Sequence, residues 1–265
     1  MSGLILLLSA VSFAAGSGGG NPASAGPTYT ASSLVNAATN LPGPLAPNTI
    51  ASLYGTGLAW GTRAITGEDL RGGYLPTRLI GSGVVVHLAR IAAPLYYVSP
   101  TQINLLVPSS IQPGEYVLQT TLDGRAGPEV RVTLLPAAPG LFLSGAEWAV
   151  ATRPDGTVVD AQSPARPGEV IVFYATGLGP VTPRVADGEL PERAAVIVGR
   201  KQFVLRLNGV PVNDDRILYV GVTPGFAGLY QINVALPEDA PDDPEVEIQV
   251  GDYGSPRGPK VALRR

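Results

Sequence analysis

Cysteine is absent from the 265 residues, histidine occurs once and lysine twice. The first absence excludes disulfides, thiolate metal sites and a cysteine nucleophile. It does not assign a compartment, because export without cysteine needs no oxidative folding. With His87 as the lone histidine, a zinc site of the usual nitrogen and sulfur ligands has no ligand set. Charge is scarce as well. Charged residues are 15% of the chain, against roughly 25% in ordinary soluble proteins. The net charge of −3 gives no broad basic field, so nucleic acid and anionic lipid are not expected partners. No apolar run after the first residues reaches the roughly 18 of a membrane helix, so no transmembrane helix is expected in the mature chain.

Turn and strand material is plentiful instead. The 33 glycines and 26 prolines mark frequent turns, while 45% hydrophobic content in short periodic runs argues against disorder. Leu4 to Ala15 is apolar but too short to span a bilayer, and Ala23-Ser-Ala25 has the small residues of a cleavage site. Residues 1–25 are therefore expected to be an export signal, although no Lys or Arg precedes the apolar run. The later runs are strand-like. Thr49 to Tyr54, Val84 to Leu88, Leu95 to Val98, Gln102 to Pro108, Tyr116 to Leu122 and Val130 to Leu135 are each bounded by turn signals. Val170 to Ala175, Phe203 to Leu207, Gly228 to Leu236 and Val246 to Val250 repeat the style. Ala59 to Gly73 lacks a period and reads as loop.

The chain also says nearly the same thing twice. Pro47-Asn-Thr-Ile-Ala-Ser-Leu-Tyr-Gly-Thr-Gly-Leu58 returns as Pro167-Gly-Glu-Val-Ile-Val-Phe-Tyr-Ala-Thr-Gly-Leu178, and Gln102-Ile-Asn-Leu-Leu-Val-Pro108 returns as Gln231-Ile-Asn-Val-Ala-Leu-Pro237. The doubling predicts an all-β protein of two tandem β-sandwich domains, residues 26–137 and 138–265, after the signal segment. Pro136 to Gly140 is too short to be a free linker, so the two are expected to be stiffly coupled.

These segments, with Val35-Asn-Ala-Ala38, Ala93-Pro-Leu-Tyr-Tyr-Val-Ser-Pro-Thr-Gln-Ile-Asn104, Ala138-Pro-Gly-Leu-Phe142 and Gly225-Phe-Ala-Gly-Leu-Tyr-Gln-Ile-Asn233, carry a family resemblance. The chain resembles a domain family of secreted bacterial proteins, abundant in Acidobacteria and named for the C-terminal domain of Solibacter proteins. Each half also looks like an IPT/TIG-type immunoglobulin-like domain. The resemblance covers about residues 33–263. It implies tandem immunoglobulin-like sandwiches on an exported protein, and it implies no activity. In that family the domain usually ends a much larger exported protein, whereas here it is expected to stand almost alone behind the leader.

Candidate chemistry is thin. His87 would have to serve any Ser-His-Asp triad, yet it lies in a valine-rich strand and no Gly-x-Ser-x-Gly elbow occurs. Gly55-Thr-Gly57 lacks the spacing of a phosphate loop. Asp155 with Asp160, Asn213-Asp-Asp215, and Glu238-Asp239 with Asp242-Asp243 could hold a weak structural Ca²⁺, but none has calcium-loop spacing. No cofactor is expected otherwise. Gln102, Asn104, Gln231 and Asn233 recur within the repeat, either bonding to neighbouring structure or forming a ligand strip with Tyr97 and Tyr230. Tyr96, Tyr219, Trp60 and Trp148 could add ring faces.

The expected function is a non-enzymatic exported interaction or structural module, meeting a protein or glycan at the cell surface or outside the cell. The alternative is a carbohydrate-binding accessory module. A hydrolase would need His87 or a carboxylate pair in a cleft.

Overall fold

The computed structural model describes residues 26–265; the expected export signal lies outside them. The chain is all-β, and its only helical pieces among the described residues are three short 3₁₀ turns. In the N-terminal half one antiparallel sheet runs in the order Leu34–Asn36, Ile50–Tyr54, Gln102–Leu106, Leu95–Val98, Arg63–Ala64. A second runs Val130–Leu134, Gly114–Leu122, Val84–Leu88, Ile91–Ala92. Their facing sides share one core that includes Leu53, Ile103, Leu105, Val86, Leu118 and Val132. Alternation places it: along Val84–Leu88 the residues are in turn buried and half-exposed.

The C-terminal half has an eight-stranded sheet whose centre is Ala151–Thr152, Val170–Thr176, Tyr230–Ala235 and Ile217–Val222. It packs on a four-stranded sheet containing Phe203–Leu207 and Val246–Val250. Phe173, Ile232, Val234, Leu205 and Ile248 lie in this second core.

The sequence repeat is a repeat of strand pairing. Ile50–Tyr54 runs antiparallel to Gln102–Leu106 with Tyr54 opposite Gln102, Leu53 opposite Ile103 and Ser52 opposite Asn104. Val170–Thr176 meets Tyr230–Ala235 with Tyr174 opposite Gln231, Phe173 opposite Ile232 and Val172 opposite Asn233. A one-residue slip in either pair would turn its apolar set outward, so the shared pattern specifies the shared register.

Among the described residues, no named strand of one half pairs with one of the other, and the halves instead meet through a small third cluster of Ile50, Leu75, Leu106, Ala227 and Leu229. The loop read as structureless from Ala59 to Gly73 contains the short strand Arg63–Ala64, which pairs with Val98 and Tyr97. Beyond that strand, Asp69 nails the loop down. Its buried carboxylate accepts from Arg63 Nη2 at 2.8 Å, Thr66 N at 2.9 Å and Thr66 Oγ1 at 3.0 Å. Burial alone would raise its pKa, but these bonds outweigh it and hold the carboxyl at about 2.

Candidate functional site

The repeated amides bond to each other. Gln102 Nε2 donates to Asn104 Oδ1 at 2.8 Å, and Gln231 Nε2 donates to Asn233 Oδ1 at 3.1 Å. Members of each pair are two residues apart on one strand and therefore share a face. Ser52 Oγ adds a second donor to Asn104 Oδ1 at 2.9 Å, and Asn104 is buried. The amides thus spend hydrogen-bonding capacity on their own sheets. Tyr97 is half-buried opposite Asn104, and both line a cavity of about 250 Å³ between the halves.

Tyr230 departs from the expected ligand strip. It points into the interior, fully buried, because its place on the strand is in phase with Ile232 and Val234. Its hydroxyl donates to Gly179 O at 2.5 Å and accepts from Asn48 Nδ2 at 3.0 Å, so it ties the two halves together. Burial pushes its pKa up despite the Asn48 bond. Tyr96 serves the same seam, its hydroxyl donating to Ala227 O, and burial raises its pKa too. Thr176 Oγ1 accepts from Ile50 N at 2.9 Å and donates to Gly228 O at 2.8 Å. Asp187 crosses the seam and accepts from Ser109 Oγ at 2.9 Å and Ser110 N at 2.8 Å. Gly228 has φ +67, and a Cβ there would lie 2.3 Å from Leu106 Cδ1, so this contact requires glycine.

A larger cleft, about 700 Å³, opens on the C-terminal half. Trp148, Tyr174 and Phe226 supply ring surface, and Asp155, Asp160 and Gln162 supply polar groups along one wall. No lysine or arginine lines it. The wall is the segment 151–165, which Arg153 fastens from behind. Its Nε donates to Glu169 Oε1 at 2.6 Å, Nη1 to Ser163 Oγ at 3.1 Å and Nη2 to Pro164 O at 3.0 Å. Asp160 Oδ1 accepts from the backbone N–H of Gln162 at 2.9 Å and of Ser163 at 2.8 Å. Hydrogen bonds from Thr157 hold the exposed Asp155 carboxyl below the usual carboxylate range. The opposite wall is the turn Thr223-Pro-Gly-Phe226, closed by Phe226 N donating to Thr223 O at 3.1 Å with Gly225 at φ +82. Thr223 lines the cleft with its Oγ1 buried and without a hydrogen-bond partner. Such a group costs about 1–3 kcal/mol unless something meets it. Phe226 also lines the cavity at Tyr97, so one ring is common to both spaces.

Sequence reasoning named Trp148 as a ring face but missed Phe226, Thr223 and Gln162. The Thr-Pro-Gly-Phe turn could have pointed to the first two; the cleft itself arises from packing that no local pattern encodes. The other candidates scatter. His87 sits at a half-buried position opposite Gln119 and Ala92 in its sheet. Gly55 admits Thr28 O where a Cβ would collide, so this loop packs against its own half. Trp60 is 52% exposed, far along the chain from the cleft residues, and donates from Nε1 to Asp123 Oδ2 at 2.7 Å. The hydroxyl of half-buried Tyr219 donates to Val222 O at 2.9 Å. Of the acidic groups, Asp214 pairs with Arg200 at 2.6 Å and Asp243 with Arg264. Among the described residues, no group of three or more His, Cys, Asp and Glu side chains is arranged to hold a metal ion.

No family model matches the chain, and no curated protein matches it, so the Solibacter-type resemblance rests on its motifs alone. Solved structures do match. One is SGBP-B from a mixed-linkage glucan utilization locus of Bacteroides ovatus, in complex with a mixed-linkage heptasaccharide, at 12% identity and TM-score 0.33, over 83% of this chain and 42% of that one. Another is the surface glycan-binding protein of Prevotella bryantii, at 10% identity and TM-score 0.23, over 80% and 37%. A third is the plexin A4 extracellular region, at 12% identity and TM-score 0.28, over 89% and 18%. The chain spans less than half of each of these structures, and likeness at this level does not carry their binding to it.

Proposed function

We propose that the chain is a non-catalytic binding module, exported from the cell, in which residues 26–137 and 138–265 form two immunoglobulin-like units held as one body. The observation that carries the reading is a concave, aromatic-lined surface on a body whose polar groups are largely committed to structural bonds. Tyr230, Thr176 and Asp187 couple the halves. The repeated amides bond within their own strands. His87 stands in a sheet with Gln119 and Ala92 as its cross-strand neighbours, which supports a structural position. Export is supported by the apolar leader and its small-residue cleavage site. No helix among the described residues is long and apolar enough to cross a membrane.

The test is retention of the purified chain on isolated bacterial envelope and on insoluble polysaccharides, with and without Ca²⁺. Saturable retention on either supports the binding role. Turnover of a substrate that disappears with His87→Ala or with loss of a cleft carboxylate would overturn the non-catalytic reading.

A further inference from the structure

We propose that the cleft under the segment 151–165 binds a neutral oligosaccharide, with Trp148 and Phe226 as ring faces and Asp160 and Gln162 as hydrogen-bond partners. This rests on the reading of the chain as a binding module and names the ligand class and the site.

The chemistry of the lining selects the ligand. A pyranose has an apolar C–H face and a rim of hydroxyls that both donate and accept. Aromatic faces suit the first, and a carboxylate and an amide suit the second. The about 700 Å³ of the cleft falls in the range of small-ligand sites. Its lining contains two carboxylates and no lysine or arginine, which disfavours phosphates, sulfated chains and nucleic acid. Thr223 lines the cleft at only 9% exposure with its Oγ1 buried, so it shapes the wall rather than meeting a sugar hydroxyl.

The site is also prebuilt. Arg153 clamps the wall through Glu169, Ser163 and Pro164, and Asp160 is oriented by two backbone N–H groups. A wall already ordered lowers the entropy lost on binding. Because Phe226 also bounds the cavity holding Tyr97 and Asn104, a chain longer than the cleft continues past Phe226 onto the seam between the halves. Trp148 stands beside the core, and Gln162 and Asp160 lie on the exposed segment. The rim residues can therefore be changed without touching the interior.

Trp60 and Trp148 are the two tryptophans, so a Trp60→Phe background reports the cleft through Trp148 emission. The full chain in this background is titrated with cello-, xylo-, manno- and chito-hexasaccharides and with a hexalysine peptide. At least one hexasaccharide is expected to shift the emission saturably, with an affinity that salt leaves unchanged. Asp160→Asn and Gln162→Ala, with unaltered unfolding midpoints, are each expected to weaken that binding about tenfold. Trp148→Ala, followed by calorimetry, is expected to abolish it. Binding that survives all three variants places the sugar elsewhere and overturns the site. Binding of hexalysine alone, falling with salt, overturns the neutral-sugar assignment. No binding by the panel, with retention on envelope intact, overturns the sugar assignment but leaves the binding role standing. Loss of both ends both. Release of shorter sugars from a bound hexasaccharide keeps the site and overturns the non-catalytic reading.

Discussion

The two halves use one strand pair for two purposes. In the N-terminal half the outward side of the repeated strands is covered: Ile50 and Leu106 are fully buried against Ala227 and Leu229 of the other half. Their counterparts by repeat, Val170 and Ala235, are only partly buried. Tyr174, the counterpart of Tyr54, hydrogen-bonds Thr152 and faces the cleft. The same register thus makes a docking face once and leaves a cleft-lining one the second time. Local sequence sets the strand; what lies across from it sets the role.

The first way to break this comparison is to truncate equivalent positions. Ile50→Ala removes a fully buried side chain at the seam and is expected to cost about 2–5 kcal/mol. Val170→Ala, at the partly exposed twin, is expected to cost about 1 kcal/mol. Denaturant midpoints of the two variants measure the difference. Equal costs would mean the two faces are equally covered, against the asymmetry described.

A finer comparison uses identical residues. Thr56 and Thr176 occupy the same place in the repeat, yet Thr56 is exposed and Thr176 fully buried. Thr176→Ala strands Ile50 N and Gly228 O and should cost about 1–3 kcal/mol. Thr56→Ala should stay within about 0.5 kcal/mol. Hydrogen exchange at the Ile50 amide would show whether the loss is felt where the bond was.

This pair also shows how much was legible beforehand. Strands and the inward Ile103/Leu105 and Ile232/Val234 pairs follow from alternation, and these residues lie in the cores, whereas which strand pairs with which does not follow from it. Tyr230 falls in the same phase, which accounts for its burial. Its counterpart Thr101 is exposed, so the repeat alone does not carry the burial from one half to the other. What alternation could not supply is the partners of its hydroxyl, Gly179 O and Asn48, 51 and 182 residues away. The cleft was illegible for the same reason. Trp148, Gln162 and Phe226 come from separate segments, and only the packed sheet brings them to one wall and its opposite.

Acid tests the N-terminal side of the comparison. Asp69 belongs to the N-terminal loop that meets the seam, and its folded pKa, about 2, lies below the ordinary value near 3.9. A depressed carboxylate stabilises the fold above its unfolded pKa, and the gain is lost as pH falls towards the folded pKa. The loss should therefore fall between about pH 4 and pH 2. Arg63 is about one-third exposed, which screens the pair, so the contribution is discounted to on the order of 1 kcal/mol. In Asp69→Asn the slope of unfolding midpoint against pH should flatten in that window. An unchanged slope would show that Asp69 does not control the acid response.

The smallest effect is expected at the tryptophans' own contrast. Trp148 is partly buried against the C-terminal core and faces the cleft, whereas Trp60 is 52% exposed and held at the rim by Asp123 and by Arg125, 5.9 Å from its ring centroid. Trp60→Phe keeps an aromatic face for Arg125 but removes the indole N–H. One exposed hydrogen bond is lost, and about 0.5–1 kcal/mol is the expected cost. The remaining emission should be blue-shifted relative to that of Trp148→Phe, because the residue it reports is the more buried of the two. If instead both single-tryptophan variants emit alike, Trp148 is as open to water as Trp60, and the cleft lacks the ring wall on which its sugar assignment stands.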